Sequence, residues 1–146
     1  MFIIMVTDMV IDKDLEKRNN QKDHFNHIAE DYINIRNSNK SHLYYKKILW
    51  EYFFYINKIK VNKIDLLEPM CGYGEGYNII KNFSQIKINS YYGFDYSEKI
   101  VNFCKKNKKN LKIKFLDIIN FKEKNIYNFD ILIGGLHHVH QDVDLA

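Results

Sequence analysis

The stretch "KIDLLEPMCGYGEGYNII", residues 63–80, constrains the fold of this chain most, because three structural signals follow one another in it. The apolar run that ends at Glu68 has the pattern of a buried strand. Three glycines at alternate positions then predict a tight loop, and the residues over about 75–84 have the spacing of a helix. A strand, a glycine loop and a helix in this order are typical of the first unit of a parallel α/β sheet.

The same alternation of strands and helices continues toward the C-terminus. The segments "SYYGFD", "LKIKFLD" and "NFDILIGG" predict a second, third and fourth strand, the last of them buried on both faces. Between the second and third lies "YSEKIVNFCKKNKK", which predicts a helix with Ser97 as its N-cap and lysines at its negative end. We therefore expect an α/β fold with a Rossmann-like, doubly wound parallel sheet.

The first part of the chain has a different pattern. Residues 1–60 predict a helical segment that caps the sheet domain, which occupies residues 61–146. Apolar residues at intervals of three and four mark one helical face within 12–36, and "NSNKS" at 37–41 predicts a loop. A second amphipathic helix follows in "HLYYKKILWEYFFYINKI", and we expect its aromatic stripe to pack in the core rather than to bind a ligand.

Charge and cysteine content exclude several functional classes. The net charge is only +4, and Arg18 and Arg36 are the only arginines among 22 basic side chains. Arginine makes the best bidentate contacts with phosphates and bases, so a nucleic-acid partner is disfavoured. The opening "MFIIMV" is too short for a signal peptide or a membrane span, and Cys71 and Cys104 have no metal-ligand spacing. We expect a soluble cytoplasmic protein with two reduced thiols and no membrane partner.

Acidic residues end three successive predicted strands. Glu68 ends the first strand, Asp95 the second and Asp117 the third, while "GGLHH" ends the fourth. Open parallel sheets bind their ligands at the carboxyl ends of the strands. A single acid there is often an ordinary turn residue, but three at equivalent positions indicate a ligand site.

The glycine spacing narrows the class of ligand. A dinucleotide site requires G-x-G-x-x-G, whereas Gly76 comes one position early, and Glu75 near the helix start would repel a pyrophosphate. No G-K-[ST] follows, which excludes a P-loop. The loop and the acids therefore suit a ligand with an amine and a ribose but no phosphate. S-adenosylmethionine has these groups, and a nicotinamide-dependent oxidoreductase is a distant alternative.

Four segments carry a family resemblance. In order and spacing, "LLEPMCGYGEG", "YYGFDYSEKIV", "KFLDIINF" and "FDILIGGLHHV" resemble motifs I to IV of the class I S-adenosylmethionine-dependent methyltransferases. The segment "FNHIAEDYINIR" resembles the helix that precedes the fold in many members that act on small molecules. The resemblance covers residues 25–140. It implies N-terminal helices followed by strands one to four of a seven-stranded methyltransferase fold, so that the last three strands are expected to be missing.

The resemblance implies a role for each strand end. Glu68 would hold the methionyl ammonium, directly or through water, and Gly72 and Gly74 would admit the methionyl carboxylate. Asp95 would accept hydrogen bonds from both ribose hydroxyls, and Asp117 would accept one from the adenine amino group.

Further implied contacts surround the two ends of the cofactor. Phe94, Tyr96 and Ile118 would enclose the adenine ring, while Tyr32 and Arg36 would close over the methionine end. Met70 stands where the family usually has its first glycine. The complete implied cofactor-binding set is Glu68, Met70, Gly72, Gly74, Asp95, Tyr96, Asp117, Ile118, Gly134, Tyr32 and Arg36.

Histidines after the fourth strand are the candidates for catalysis. His137 or His138 could act as a general base toward a hydroxyl or amine acceptor, or the pair could begin a helix and only line the pocket mouth. Adjacent histidines point in different directions and no carboxylates have ligand spacing around them, so we expect no metal site.

Two functional hypotheses follow. The first is a methyltransferase that acts on a small-molecule acceptor. The signature of DNA amino-methyltransferases is absent after the fourth strand, which argues against DNA and leaves protein and RNA acceptors open. The second is a truncated, non-catalytic domain that binds the cofactor or a partner chain. In that case the exposed edge of the fourth strand is expected to promote self-association.

Overall fold

The computed structural model describes residues 8–122 and 127–133 of the 146-residue chain. Two N-terminal helices precede an alternation of strands and helices. In chain order the elements are α1 (Asp8–Ser38), α2 (Lys40–Asn57), β1 (Lys63–Pro69), α3 (Glu75–Phe83), β2 (Lys87–Asp95), α4 (Glu98–Asn107), β3 (Ile113–Phe115), a 3₁₀ turn (Ile118–Asn120) and β4 (Phe129–Asp130).

The four strands form one parallel sheet in the order β3-β2-β1-β4. Leu66 in β1 lies opposite Tyr91 of β2 on one side and Phe129 of β4 on the other. The strand order reverses between β1 and β4, since the chain crosses back over the sheet after β3. This arrangement confirms the predicted Rossmann-like sheet for strands one to four. The strand predicted over 128–135 is shorter, and residues 134 and 135 lie outside the described part of the chain.

Both faces of the sheet are covered by apolar side chains. On one face, Ile64 and Leu66 of β1 pack with Ile80 of α3. On the other face, Leu67, Tyr92 and Phe94 form a cluster, and half-buried residues that follow β3 pack against it. These covering residues are Leu116, Ile118, Phe121 and Tyr127. Because successive residues of a strand point to opposite faces, β1 needs the nearly continuous apolar run that the sequence shows.

The N-terminal helices contribute unequally to the core. Ala29 and Ile33 of α1 are buried in the cluster that contains Ile100 and Val101 of α4. Helix α2 begins directly after α1, because the Asn39 side chain accepts a hydrogen bond from the backbone N–H of His42 at 3.0 Å. The loop predicted over 37–41 is therefore reduced to a single capping residue.

The prediction that the aromatic stripe of α2 packs in the core is largely wrong. No residue of this helix is fully buried, and the aromatic side chain of Phe53 remains 39% exposed. Trp50 and Phe54 are half-buried, and only Phe54 packs against a core cluster. The helix contacts α1 and α3 along one narrow side, so amphipathic spacing overestimated how much of its surface the rest of the described chain covers. Among the described residues, no helix is both long and apolar enough to cross a bilayer.

The loop between β1 and α3 enters the left-handed region of backbone space three times. The φ angles are 51° at Met70, 53° at Gly72 and 79° at Gly74. Glycine adopts such angles without steric cost, whereas a residue with a Cβ is destabilised by roughly 1–2 kcal/mol. Met70, at the position of the usual first glycine, is therefore a strained residue in this loop.

Replacing Met70 with glycine is expected to relieve this strain. The Met70→Gly variant should be about 1 kcal/mol more stable than Met70→Ala, because both lose the side chain but only alanine keeps the Cβ. Urea unfolding of the two variants measures the difference. A Met70→Ala variant as stable as Met70→Gly would show that the backbone relaxes at this position.

Candidate functional site

The glycine loop is tied to the end of β2. The backbone N–H of Cys71 donates to the Phe94 carbonyl at 3.0 Å, and the N–H of Gly72 donates to Asp95 Oδ2 at 2.9 Å. The Asp95 Oδ1 atom accepts from the N–H of Ser97 at 2.9 Å. One carboxylate therefore connects the loop with the start of α4, and its burial raises the pKa of Asp95 against the backbone hydrogen bonds that lower it.

Glu68 is the most completely enclosed acid of the site. Its side chain is 1% exposed and accepts from the N–H groups of Gly76 at 2.6 Å and Tyr77 at 3.1 Å. The Tyr91 hydroxyl donates a third hydrogen bond at 2.9 Å. Burial, with a smaller contribution from the nearby Glu75 carboxylate, raises the pKa of Glu68 to about 7 against the hydrogen bonds that lower it. Glu68 thus satisfies the first turn of α3, where a helix leaves N–H groups unpaired.

The two predicted cofactor-binding glycines have different surroundings. A Cβ at Gly72 would have no other atom within 4 Å, so this side of the loop borders open space. At Gly74 a Cβ would lie 3.0 Å from the Leu111 side chain, which places Gly74 on the packed side of the loop. A ligand at the strand ends can therefore approach the backbone at Gly72.

Helix α4 supports the loop from its C-terminal end. Lys108 Nζ donates to the Tyr73 carbonyl at 2.6 Å and lies 4.6 Å from the centroid of the Tyr73 ring. The Cys104 thiol lies 3.7 Å from the carbonyl of Gly72, as a weak donor. Burial lowers the pKa of Lys108, yet the carbonyl and the ring face compensate its charge. Cys71 and Cys104 are both buried and free, as expected for reduced thiols.

Glu75 connects the N-terminal helices with the loop. Its carboxylate is buried at the first position of α3 and pairs with Arg36 of α1 at 2.8 Å and with Lys46 of α2 at 2.5 Å. The Arg36 guanidinium also lies 4.9 Å from the centroid of the Tyr32 ring. The predicted pair Tyr32 and Arg36 is therefore found beside the loop, with Arg36 already bound to an acid.

Tyr96 lies where α1 crosses the end of β2. Its ring meets Phe25 of α1 edge-on, with 6.3 Å between centroids, and its hydroxyl is buried without a hydrogen-bond partner in the described structure. Burial, with the charges of Asp95 and Asp117, raises the pKa of this phenol to about 12, so it stays protonated. Phe94, in contrast, is fully buried in the sheet core.

The structure brings most of the predicted residues to one edge of the sheet. Asp117 caps the 3₁₀ turn by accepting from the N–H of Ile119 at 3.2 Å, and Ile118 is half-buried beside it. The predicted Gly134, His137 and His138 lie outside the described residues. Within the described chain, no group of three His, Cys, Asp or Glu side chains is arranged to hold a metal ion.

Several residues that position the site carried no sequence signal. Asn26 Oδ1 accepts from the Ser97 hydroxyl at 2.8 Å, which joins α1 to the N-cap of α4. Lys46, Tyr91 and Lys108 also bind site residues across long stretches of chain. Ser97 was expected as a cap from its local pattern, but its partner on α1 follows only from the tertiary fold.

Comparison with solved structures identifies the fold. A protein from Methanococcus maripaludis described as an S-adenosyl-L-methionine-dependent methyltransferase superposes with a TM-score of 0.59 at 18% identity, over 81% of this chain and 53% of its own. Magnesium protoporphyrin IX methyltransferase from Synechocystis PCC 6803, with bound SAM, has a TM-score of 0.57 at 16% identity, over 84% and 64%. The plantazolicin methyltransferase BpumL, in complex with an analogue and SAH, has a TM-score of 0.50 at 17% identity, over 86% and 49%.

These likenesses show that the chain has the class I methyltransferase fold, over strands one to four. The chain spans 53%, 64% and 49% of the length of the three proteins. No protein-family model and no curated sequence matches it.

The raised pKa of Glu68 predicts a measurable pH dependence. The folded protein holds this proton up to about pH 7, whereas the unfolded chain releases it near 4.5, so stability falls as the pH rises between these values. Relative to Glu68→Gln, the wild type should lose roughly 3 kcal/mol between pH 5 and pH 8. Urea unfolding of both proteins at the two pH values measures this loss.

The exposed acid Glu98 provides the matched control for this measurement. Glu98→Gln should keep the pH dependence of the wild type, because the Glu98 side chain is exposed whereas Glu68 is buried. Parallel pH profiles for the wild type and Glu68→Gln would contradict the assignment.

Proposed function

We propose that this chain binds S-adenosylmethionine at the carboxyl ends of β1, β2 and β3, as part of a methyltransferase that acts on a small-molecule acceptor. The observation that carries the proposal is the Asp95 carboxylate. It ends the central strand β2, holds the glycine loop through the Gly72 N–H at 2.9 Å, and lies beside the open side of that loop.

Asp95 has the hydrogen-bonding capacity that a ribose needs. The N–H groups of Gly72 and Ser97 each donate to one of its oxygens, and the Tyr96 N–H is a further backbone donor to this carboxylate. A carboxylate can accept about four hydrogen bonds, so at least one lone-pair position is left for a ribose hydroxyl. The unpartnered Tyr96 hydroxyl beside it is a further polar group that a bound ligand can satisfy.

The helix start argues against a phosphate-bearing cofactor. A dinucleotide site would present the first N–H groups of α3 to a pyrophosphate. Here Glu68 already accepts from the N–H groups of Gly76 and Tyr77, and Glu75 adds a second buried carboxylate at the same turn. This arrangement supports S-adenosylmethionine over a nicotinamide dinucleotide.

The methionine end is assigned by proximity to the loop. We assign its carboxylate to the open side of the loop at Gly72, where no side chain fills the space, since the Gly72 N–H itself donates to Asp95. Glu68 is 1% exposed and already accepts hydrogen bonds from three donors, which favours an indirect contact with the ammonium through water over a direct one. Tyr32, held against Arg36, would close this end from α1.

The chain's own contribution to catalysis is positioning. S-adenosylmethionine bound here would supply an electrophilic methyl group, which would pass from its sulfonium sulfur to an acceptor oxygen, nitrogen or carbon and leave S-adenosylhomocysteine. Asp95, Tyr96 and the loop would fix the donor, and holding two reactants in line can account for much of the rate acceleration. His137 or His138 as a general base stays a prediction.

An apolar recess beside the loop supports a small-molecule acceptor. It has a volume of about 660 Å³ and is lined by α2, by Glu75 at the start of α3 and by Ile133, three residues after β4. Its lining residues are His42, Tyr45, Lys46, Ile48, Leu49, Trp50, Tyr52, Glu75 and Ile133. The volume is within the range of small-molecule pockets, and the lining favours an apolar or aromatic acceptor.

Titration with S-adenosylmethionine tests the proposal. The wild type should bind one molecule, and Asp95→Asn should weaken binding at least tenfold, since each hydrogen bond to a charged group contributes roughly 1.5–3 kcal/mol. Isothermal titration calorimetry measures both affinities.

Asp31→Asn, which alters an exposed acid of α1, is the matched control and should bind like the wild type. Circular dichroism and thermal unfolding establish that each variant is folded. Absence of binding to the folded wild type, or equal affinity in Asp95→Asn, would refute the proposed site.

A further inference from the structure

Two buried polar atoms have no hydrogen-bond partner among the side chains that the structure describes. They are Gln21 Oε1, on α1, and the Tyr96 hydroxyl, directly after β2. Buried polar groups are nearly always paired, and leaving one unpaired costs roughly 1–3 kcal/mol. If the two atoms lie close together, one bound ligand could supply hydrogen-bond partners for both.

Contacts between α1 and the strand ends place them in one layer. Phe25, one helical turn after Gln21 and on the same face, meets the Tyr96 ring at 6.3 Å between centroids. Lys22 Nζ lies 5.0 Å from the centroid of the Phe115 ring, at the end of β3. Asn26 bonds to Ser97 at the start of α4. The segment 21–26 therefore lies across the carboxyl ends of β2 and β3.

We propose that Gln21 is a ligand-binding residue that recognises the adenine edge of the bound cofactor, together with the Tyr96 hydroxyl. The proposal rests on the function proposed above. It adds a specificity-determining residue on α1, a helix for which the sequence indicated contacts only at the methionine end, through Tyr32 and Arg36.

The chemistry of the two groups matches adenine. A glutamine amide offers an acceptor beside a donor, which is the complement of the amino group and neighbouring ring nitrogen of adenine. The protonated Tyr96 hydroxyl can donate to a second ring or ribose acceptor. The amino group carries two hydrogens, so Gln21 and Asp117 can both accept from it.

A ligand-binding role would also explain why the polar amide of Gln21 stands at a buried position. Gln21 Oε1 is buried without a hydrogen-bond partner among the described residues, so its burial costs stability that a bound ligand would return. A residue selected for packing would be apolar at this position. Replacing a packing residue lowers the stability of the fold. Replacing a ligand-binding residue is expected to leave the stability unchanged or raise it, and to lower the affinity for the ligand.

The experiment compares Gln21→Met with Gln85→Met, an identical substitution at an exposed residue far along the chain. Isothermal titration calorimetry measures the affinity of each protein for S-adenosylhomocysteine and for S-inosylhomocysteine, in which an oxo group replaces the adenine amino group. Thermal unfolding without ligand measures stability. Tyr96→Phe is a second variant that removes the other unpaired atom.

Gln21→Met should bind S-adenosylhomocysteine about 5–10-fold more weakly, because hydrogen bonds between neutral groups contribute about 1 kcal/mol each. It should discriminate less against the inosyl analogue and unfold at the same or a higher temperature. Tyr96→Phe should likewise lose affinity without losing stability, and Gln85→Met should match the wild type in affinity and discrimination.

Three results would overturn the inference. Unchanged affinity and discrimination in Gln21→Met, with binding still lost in Asp95→Asn, would refute the role of Gln21 and leave the proposed function intact. A fall in stability with unchanged affinity would make Gln21 a packing residue. No binding to the folded wild type would refute the proposed function and this inference together.

Discussion

The buried carboxylate of Glu68 is the interaction on which the rest of the structure depends. It accepts from two N–H groups of α3 and from the Tyr91 hydroxyl, so one side chain joins β1, α3 and β2. Asp95 repeats the arrangement one strand away, between the glycine loop and α4. A loop with three left-handed residues and a helix start leave backbone donors unpaired, and these two acids satisfy them. The interactions that hold the fold and those that shape the candidate site are therefore largely the same.

The sequence predicted what local pattern determines. Strands β1 to β3, helices α3 and α4, the glycine loop and the acids Glu68 and Asp95 at strand ends followed from periodicity and spacing. It did not reveal that Glu68 binds the first turn of α3, or that Lys108 and Asn26 support the loop and α4, because these partners meet only in the folded chain. For helix α2 the sequence instead predicted more burial than the structure shows. Its amphipathic spacing is real, but spacing does not state how much of an apolar face another element will cover.

The N-terminal helices contact the starts of α3 and α4, at two separate places. Arg36 and Lys46 bind Glu75 beside the glycine loop, while Asn26 binds Ser97 at the start of α4. The span of α1 between these places carries Tyr32, which lies against Arg36, and Phe25, just before this span, lies against Tyr96. The helical segment is thus part of the site's wall, and any shift of α1 along the sheet would change both ends of the proposed cofactor pocket together.

The position of β4 has a consequence for the order in which the protein assembles. Contacts between β1 and β2 join residues about 24 positions apart, whereas those between β1 and β4 join residues 63 positions apart. Closing the longer segment costs roughly 0.6 kcal/mol more for each doubling of length, and the two residues of β4 return few hydrogen bonds for it. We expect β1, α3 and β2 to form an early folding unit that β4 joins late, an order that pulsed hydrogen exchange would resolve. The carboxyl ends of β1 and β2, where we propose that the cofactor binds, would then form before β4 takes its place beside β1.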